Sequence, residues 1–343
     1  MIIRWVIYGF LIFAGTVFGV YIFQDKKTGR GADSKVKYEI VTNWPKLPIN
    51  FRLGNPTGIG IGHNHKIYVF HRASRKWPFI GAMPKTYIKE KTILEIDNES
   101  GKILNSWGDN IFIMPHGLTV DSENNIWVTD VGLNQVFKFN QAGKLLIKLG
   151  EAGVKGSDSR HFNKPTDVAV CKDGSFYVSD GYGNSRVVKF SSKGEYLFEW
   201  GKKGNKNGEF NIPHGICIDS DDNVYVADRE NRRVQKFDKN GKFLRAFADK
   251  SFANICSVTS DSGSGRIYAI DDLTFLKIKH RGSDVIAIDT AGLVQTRFGR
   301  SGSYNGSTCW YHDIAIDSEQ NIYVTDILRN RIQKFRVTKG AIR

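Results

Sequence analysis

Hydrophobic and polar positions alternate over short segments along most of the chain, and the alternation itself recurs. Four stretches align without a gap: MPHGLTVDSENNIWVTD from Met114, KPTDVAVCKDGSFYVSD from Lys164, IPHGICIDSDDNVYVAD from Ile212 and WYHDIAIDSEQNIYVTD from Trp310. In each, an alternating strand runs into a polar Asp/Asn/Gly turn and then into a second strand rich in β-branched and aromatic residues, which predicts a hairpin. Two degenerate copies, NPTGIGIGHNHKIYVFH from Asn55 and ANICSVTSDSGSGRIYAID from Ala253, bring the total to six. Strands such as QVFKF, RVVKF, RVQKF and RIQKF follow, and after the first five copies a glycine turn leads to one more: GKILNSW, GKLLIKL, GEYLFEW, GKFLRAF and GLVQTRF.

Each unit thus has four strands, and self-similarity at this period predicts an all-β, six-bladed propeller over residues 37–338. The sixth unit reaches RIQKFRVTKG and lacks its outer strand. The orphan strand KYEIVTNW, Lys37 to Trp44, ends on Trp as the outer strands do and is expected to complete the sixth blade. Such closure removes the exposed sheet edges.

One segment departs from the alternation. Trp5 to Phe23 is an uncharged apolar run, long enough at ~1.5 Å per residue to span a hydrocarbon core of ~30 Å. No small-x-small cleavage site follows it, so residues 1–24 are expected to be a transmembrane anchor or uncleaved signal. Residues 25–36 form a basic linker, and residues 339–343 a short tail. The linker's Lys26, Lys27, Arg30 and Lys35 argue for a cytoplasmic propeller, but large domains override that bias. The expectation is a membrane-anchored chain with an extracytoplasmic propeller.

Composition changes this picture little. Among 343 residues, 41% apolar and 24% charged, 22 Phe, 13 Tyr and 7 Trp supply a core and exclude the disordered class. A net charge of +14 raises nucleic acid as a partner. Much of the Lys and Arg, however, lies on the polar face of alternating strands, and there is no helix-turn-helix, RNA-binding aromatic motif or phosphate-cradling loop. No nucleic-acid partner is expected, and the chain is expected to be a monomer. Cys171, Cys217, Cys256 and Cys309 show no CxxC spacing and read as small core residues.

The alignment places His116, His214 and His312 at one position, just before the innermost strand of blades 2, 4 and 6. Alternate blades of a six-fold ring are a third of a turn apart, so three imidazoles can meet one metal at the axis and leave a fourth position open, as catalytic zinc requires. The structural alternative is that they plug the channel. The second strand of each hairpin returns to the same face, bringing Arg72 and Arg229, equivalent residues on opposed blades 1 and 4, beside the histidines. Paired guanidiniums suit a carboxylate. Tyr182, in DGYGN, lies one residue beyond the arginine position and is a candidate general base. Asp313 follows His312 where blades 2 and 4 have Gly117 and Gly215; it is a candidate ligand or proton carrier, although blade 3 has an equivalent Asp167. The aspartates at Asp130, Asp180, Asp228 and Asp326 recur in four blades and are assigned to hydrogen bonding in the turns.

The repeats resemble NHL repeats. The strings FHR at Phe70, MPHGLTVD at Met114, WVTDVGLNQVFKF at Trp127, HFNKPTDVAV at His161, VSDGYGNSRVVKFS at Val178 and VADRENRRVQ at Val226 resemble the peptidyl-α-hydroxyglycine α-amidating lyase family over residues 50–335. The resemblance implies a lyase that cleaves the N–Cα bond of a peptidyl-α-hydroxyglycine to an amide and glyoxylate. It implies His116, His214 and His312 as zinc ligands, and Tyr182, Asp313, Arg72 and Arg229 as catalytic groups. It also implies a structural calcium held by the backbone carbonyls of Ile59 and Leu118 together with Asp313. The expected substrate is a small molecule or peptide with an α-hydroxyglycine-like end. The chain departs from the animal enzymes where their paired cysteines match Asn163 with Gly183 and Tyr225 with Lys236, and where Trp310-Tyr311 replaces Met-Pro before the third histidine. Two alternatives stand beside this reading: another metal-dependent propeller hydrolase, such as a lactonase or esterase, and a non-catalytic NHL scaffold at the membrane.

Overall fold

The computed structural model describes residues 36–78, 82–275, 279–300 and 309–339, so the apolar run at 5–23 lies outside the described residues. Among the described residues no helix is long and apolar enough to cross a membrane. The strands are β1 (Val36–Ile40), β2 (Pro56–Ile61), β3 (Lys66–His71), β4 (Ile93–Asp97), β5 (Ile103–Trp107), β6 (Pro115–Val120), β7 (Ile126–Asp130), β8 (Gln135–Phe139), β9 (Leu145–Leu149), β10 (Asp167–Val170), β11 (Phe176–Asp180) and β12 (Arg186–Phe190). They continue as β13 (Tyr196–Trp200), β14 (Pro213–Ile218), β15 (Val224–Asp228), β16 (Arg233–Phe237), β17 (Phe243–Phe247), β18 (Asn254–Ser260), β19 (Ile267–Phe275), β20 (Lys279–Ile288), β21 (Val294–Gly299), β22 (Tyr311–Ile316), β23 (Ile322–Asp326) and β24 (Arg331–Lys339).

They form six four-stranded antiparallel sheets, five of them sequential and the sixth ordered β1-β24-β23-β22. The all-β, six-bladed propeller read from the repeats is the fold. In the sixth blade Tyr38 pairs with Val337, its hydroxyl bonds Tyr268, and its ring stacks on Phe298 at 4.8 Å. The first and last strands therefore hold each other in one sheet.

Burial follows strand position within each blade. The second strands, such as IWVTD in β7 and VYVAD in β15, are buried at every residue, because both faces pack against neighbouring blades. Trp127 and Phe176, from adjacent blades, lie 4.4 Å apart in such an interface. Outer strands such as LLIKL in β9 are mostly exposed. Full burial of each large apolar side chain contributes about 1.5–3 kcal/mol, so the interfaces between blades, not a single central core, hold the ring together.

Two devices position the innermost strands. The first is a register shift at the start of β6, β14 and β22, between Pro115 and Leu118, Pro213 and Ile216, and Tyr311 and Ile314. A bulge re-aims the side chains inside it, and those enclosed here include His116, His214 and His312. The second is the recurring aspartate. Asp130, Asp180, Asp228 and Asp326 accept backbone N–H bonds from Ile113, Asn163, Asn211 and Trp310, tying the end of each second strand to the segment that enters the first.

Candidate metal centre and active site

Six residues ring the axis at the level of the histidines: Thr57, His116, Thr166, His214, Cys256 and His312, one from each blade. The imidazoles alternate with the other three and bond to them in a three-fold pattern. His116 Nδ1 lies 2.7 Å from the Thr166 carbonyl, His214 Nδ1 2.6 Å from that of Cys256, and His312 Nδ1 2.7 Å from that of Thr57. A carbonyl oxygen only accepts, so each Nδ1 carries the proton and each Nε2 keeps a bare lone pair. The ring centroids are 4.7–5.1 Å apart, and the three ligand atoms lie within 4.8 Å of one another.

Burial is the largest influence on these imidazoles and holds all three below their ordinary value, His312 at about 3; for His116 and His214 the other imidazoles add to it. Neutral, fully buried nitrogens with a fixed tautomer are the donor set a borderline metal such as zinc takes. The residues therefore fit the metal on their own chemistry. Among the described residues this is the one group of three or more His, Cys, Asp or Glu side chains that converges in this way.

Tyr182 caps the cluster. Its hydroxyl lies 2.9 Å from His214 Nε2 and 3.2 Å from His116 Nε2, pointing at the place where the lone pairs meet. Burial pushes the phenol upward, and the charges of Arg229 and Arg72 pull against that shift. The two guanidiniums differ. Arg72 is 2% exposed, burial lowers its pKa to about 10, and its Nε donates to the Pro115 carbonyl at 3.0 Å. Arg229 is half-buried on the opposite blade; its Nε makes no hydrogen bond and lies 3.8 Å from Glu230. Among the described contacts Arg72 has no carboxylate partner and Arg229 has only the long ion pair with Glu230, a setting in which guanidiniums suit an anionic ligand.

Asp313 lies on the far side of the histidine ring from Tyr182. Its Oδ2 accepts the Ile59 N–H at 2.8 Å and its Oδ1 the Ser257 hydroxyl at 2.7 Å, while burial pushes its pKa up to about 6. With Ile59 and Leu118 it lines an axial cavity of about 230 Å³. Carboxylate oxygens such as these are the hard donors that calcium takes. Asp167, from blade 3, faces the same cavity.

The structure therefore brings His116, His214, His312, Tyr182, Arg72 and Arg229 to one face, and Ile59, Leu118 and Asp313 to the channel beneath. Sequence reasoning missed two residues. Cys256 stands on the histidine ring of blade 5, although gapless alignment of that degenerate repeat from Ala253 puts Ile255 there; Ile255 pairs with Asp271 as Pro115 pairs with Asp130, so the next residue, Cys256, takes the place of His116. Trp77 is half-buried on the connection between β3 and β4, with its ring 5.4 Å from that of Tyr182 and 5.0 Å from the Arg72 guanidinium carbon. It has no counterpart in the other repeats. Trp310, which replaces the Met of the resembling family, is half-buried.

Three stretches, 112–139, 162–190 and 210–237, match the NHL repeat family. The probable peptidyl-alpha-hydroxyglycine alpha-amidating lyase of Caenorhabditis elegans is 33% identical, and the match covers 83% of each chain. The peptidyl-alpha-hydroxyglycine alpha-amidating lyase 1 of Drosophila melanogaster is also 33% identical, over 85% of this chain and 58% of that protein. The peptidyl-glycine alpha-amidating monooxygenase A of Xenopus laevis is 34% identical over 90% of this chain, which spans only 34% of that longer protein. Among solved structures, a streptogramin B lyase superposes with a TM-score of 0.57 at 13% identity, covering 88% of this chain and 98% of the other. A gluconolactonase from Xanthomonas campestris gives 0.59 at 12% identity, over 84% and 87%. These structural likenesses bear on the fold alone.

Proposed function

Since this chain belongs to the peptidyl-α-hydroxyglycine α-amidating lyase family, we propose that it is a zinc-dependent carbon–nitrogen lyase. It cleaves the N–Cα bond of an α-hydroxyglycine-ended amide, releasing the primary amide and glyoxylate. The observation that carries the proposal is the meeting of three bare Nε2 atoms beneath the Tyr182 hydroxyl, with two arginines on the same face.

Zinc, when bound to His116, His214 and His312, supplies a Lewis acid that polarises the substrate hydroxyl and lowers its pKa. Arg229 and Arg72 hold the carboxylate that becomes part of glyoxylate. The electron pair of the breaking N–Cα bond passes to nitrogen, and the Tyr182 hydroxyl gives its own proton there while its oxygen takes the substrate hydroxyl proton as the carbon–oxygen bond becomes a carbonyl. Tyr182 ends as the phenol it began as, and the atoms of substrate and products balance without water or a redox partner. The Thr166, Cys256 and Thr57 carbonyls keep the imidazoles in one tautomer throughout.

Calcium, held by the Ile59 and Leu118 carbonyls and the Asp313 carboxylate, is proposed as a structural ion, which gives Asp313 a supporting role beneath the site. Attachment to a membrane through residues 1–24, the basic linker at 25–36, an extracytoplasmic propeller and a monomeric state belong to the same proposal. The direct test is glyoxylate release from N-benzoyl-α-hydroxyglycine by the zinc-loaded protein; a protein with a full complement of zinc that releases none contradicts it.

A further inference from the structure

Arg72 is a buried cation whose one described side-chain hydrogen bond goes to a neutral carbonyl. The group facing its guanidinium is the Trp77 ring, at 5.0 Å, and the same ring contacts Tyr182 with a 42° tilt. One indole thus touches both the carboxylate-holding group and the proton carrier. It is itself fixed from below, packing with Met83 against the apolar cluster that contains Phe112, Ile113 and Met114. The connection that carries it is tied down at Ile88, whose N–H donates to the Phe112 carbonyl, and at Arg75, which bonds Thr86. A rigid π-face attracts a cation without neutralising it, so Arg72 keeps its charge for the substrate.

We propose that Trp77 is a positioning residue of the active site: its ring holds the Arg72 guanidinium and the Tyr182 phenol at the separation that lets one grip the substrate carboxylate while the other reaches the hydroxyl. The proposal rests on the lyase reading for its kinetic consequence but not for its geometry. Displacement of a reacting group by ~1 Å costs roughly a hundredfold in rate. Arg229 still binds the carboxylate when Trp77 is lost, so the loss falls on kcat more than on KM.

The test compares Trp77→Leu with Trp77→Phe in the zinc-loaded full chain, with N-benzoyl-α-hydroxyglycine as substrate. Trp77→Leu is expected to lower kcat roughly ten- to hundredfold with KM changed only a few fold, and Trp77→Phe, which keeps a π-face, to stay within about threefold of wild type. Zinc content and Tm of both variants should match wild type. A second measurement does not depend on turnover: the rate at which phenylglyoxal modifies Arg72, read by mass spectrometry, should rise in Trp77→Leu and not in Trp77→Phe. Equal kcat in wild type and Trp77→Leu, or equal losses in both variants that track a fall in Tm, overturns the proposal. Unchanged Arg72 modification overturns it even if wild type proves not to be a lyase, whereas absence of turnover in wild type alone counts against the function and leaves the modification result to decide the role of Trp77.

Discussion

Replacing Tyr182 by Phe separates chemistry from architecture at this site. The ring is held by Trp77 at 5.4 Å and by the His116 and His214 imidazoles at 5.2 and 5.4 Å, and Phe keeps all three contacts. Only the hydroxyl is lost, and its partners are the two Nε2 atoms that a bound metal would occupy. In the metal-free protein the variant loses one buried hydrogen bond, about 1 kcal/mol, or roughly 2 °C in Tm for a domain of this size. In the zinc-loaded protein that bond is already given up to the metal, and the Tm of variant and wild type should agree. Turnover behaves differently. Loss of a general acid–base lowers kcat by roughly 10²–10⁴, or about 2.7–5.4 kcal/mol of transition-state stabilisation, with KM little altered because both arginines remain. Steady-state glyoxylate release and thermal unfolding with and without zinc measure both effects. A kcat within about threefold of wild type refutes the proton-carrying role of Tyr182.

Further expectations follow from buried groups away from the axis. Asp228→Ala leaves the Arg233 guanidinium without its 2.7 Å carboxylate partner and the Asn211 N–H without an acceptor; breaking a buried pair in this way costs about 3–5 kcal/mol, read by chemical denaturation. His71 is held neutral by burial, its pKa lowered from 6.5 to about 4. The unfolded chain therefore binds the extra proton first, and stability present above pH 6.5 is lost as pH falls toward 4, by roughly 3 kcal/mol at about 1.36 kcal/mol per pH unit. His71→Asn keeps an acceptor for the Ala73 N–H and should flatten the urea-unfolding profile across that window. The Gly183 N–H donates to the Asn163 carbonyl, and a Cβ on Gly183 would lie against the Asn163 side chain. The double variant Asn163→Cys/Gly183→Cys is expected to form a disulfide closing a loop of roughly twenty residues and to add ~3 kcal/mol, seen as a Tm rise abolished by reductant.

The histidine register was legible because the innermost hairpins are among the most regular parts of the chain. Buried on both sides at β7, β11, β15 and β23, they tolerate no insertion, so repeats that align without a gap in sequence occupy equivalent places on the ring. Where that regularity fails, so does the reading. The fifth repeat lengthens its turn, so that an alignment counted from Ala253 falls one residue out on the first strand, which hid Cys256 and with it the rule that each imidazole bonds the carbonyl of the next blade. Trp77 lies on a connection without a repeat counterpart, and nothing in the sequence places such a residue against Arg72 and Tyr182; only the packing of that connection on the Phe112 cluster does so. The recurring aspartates, by contrast, announced their role through repetition itself: four identical carboxylates before four turns point to main-chain hydrogen bonding, which is where Asp130, Asp180, Asp228 and Asp326 are found. The departure at Trp310-Tyr311 was visible in sequence, and its two residues part company in the fold: Tyr311 packs fully in the core between blades 5 and 6, while Trp310 stays half-exposed.

The central claim is that three imidazoles hold a zinc ion on which carbinolamide cleavage depends. Metal content and glyoxylate release, measured together on wild type and His214→Ala, test it most directly. The account predicts one zinc per wild-type chain and steady release of glyoxylate from N-benzoyl-α-hydroxyglycine, with zinc and turnover lost together in the variant. Glyoxylate release that persists in zinc-free His214→Ala, or a zinc-replete wild type that releases none, contradicts it.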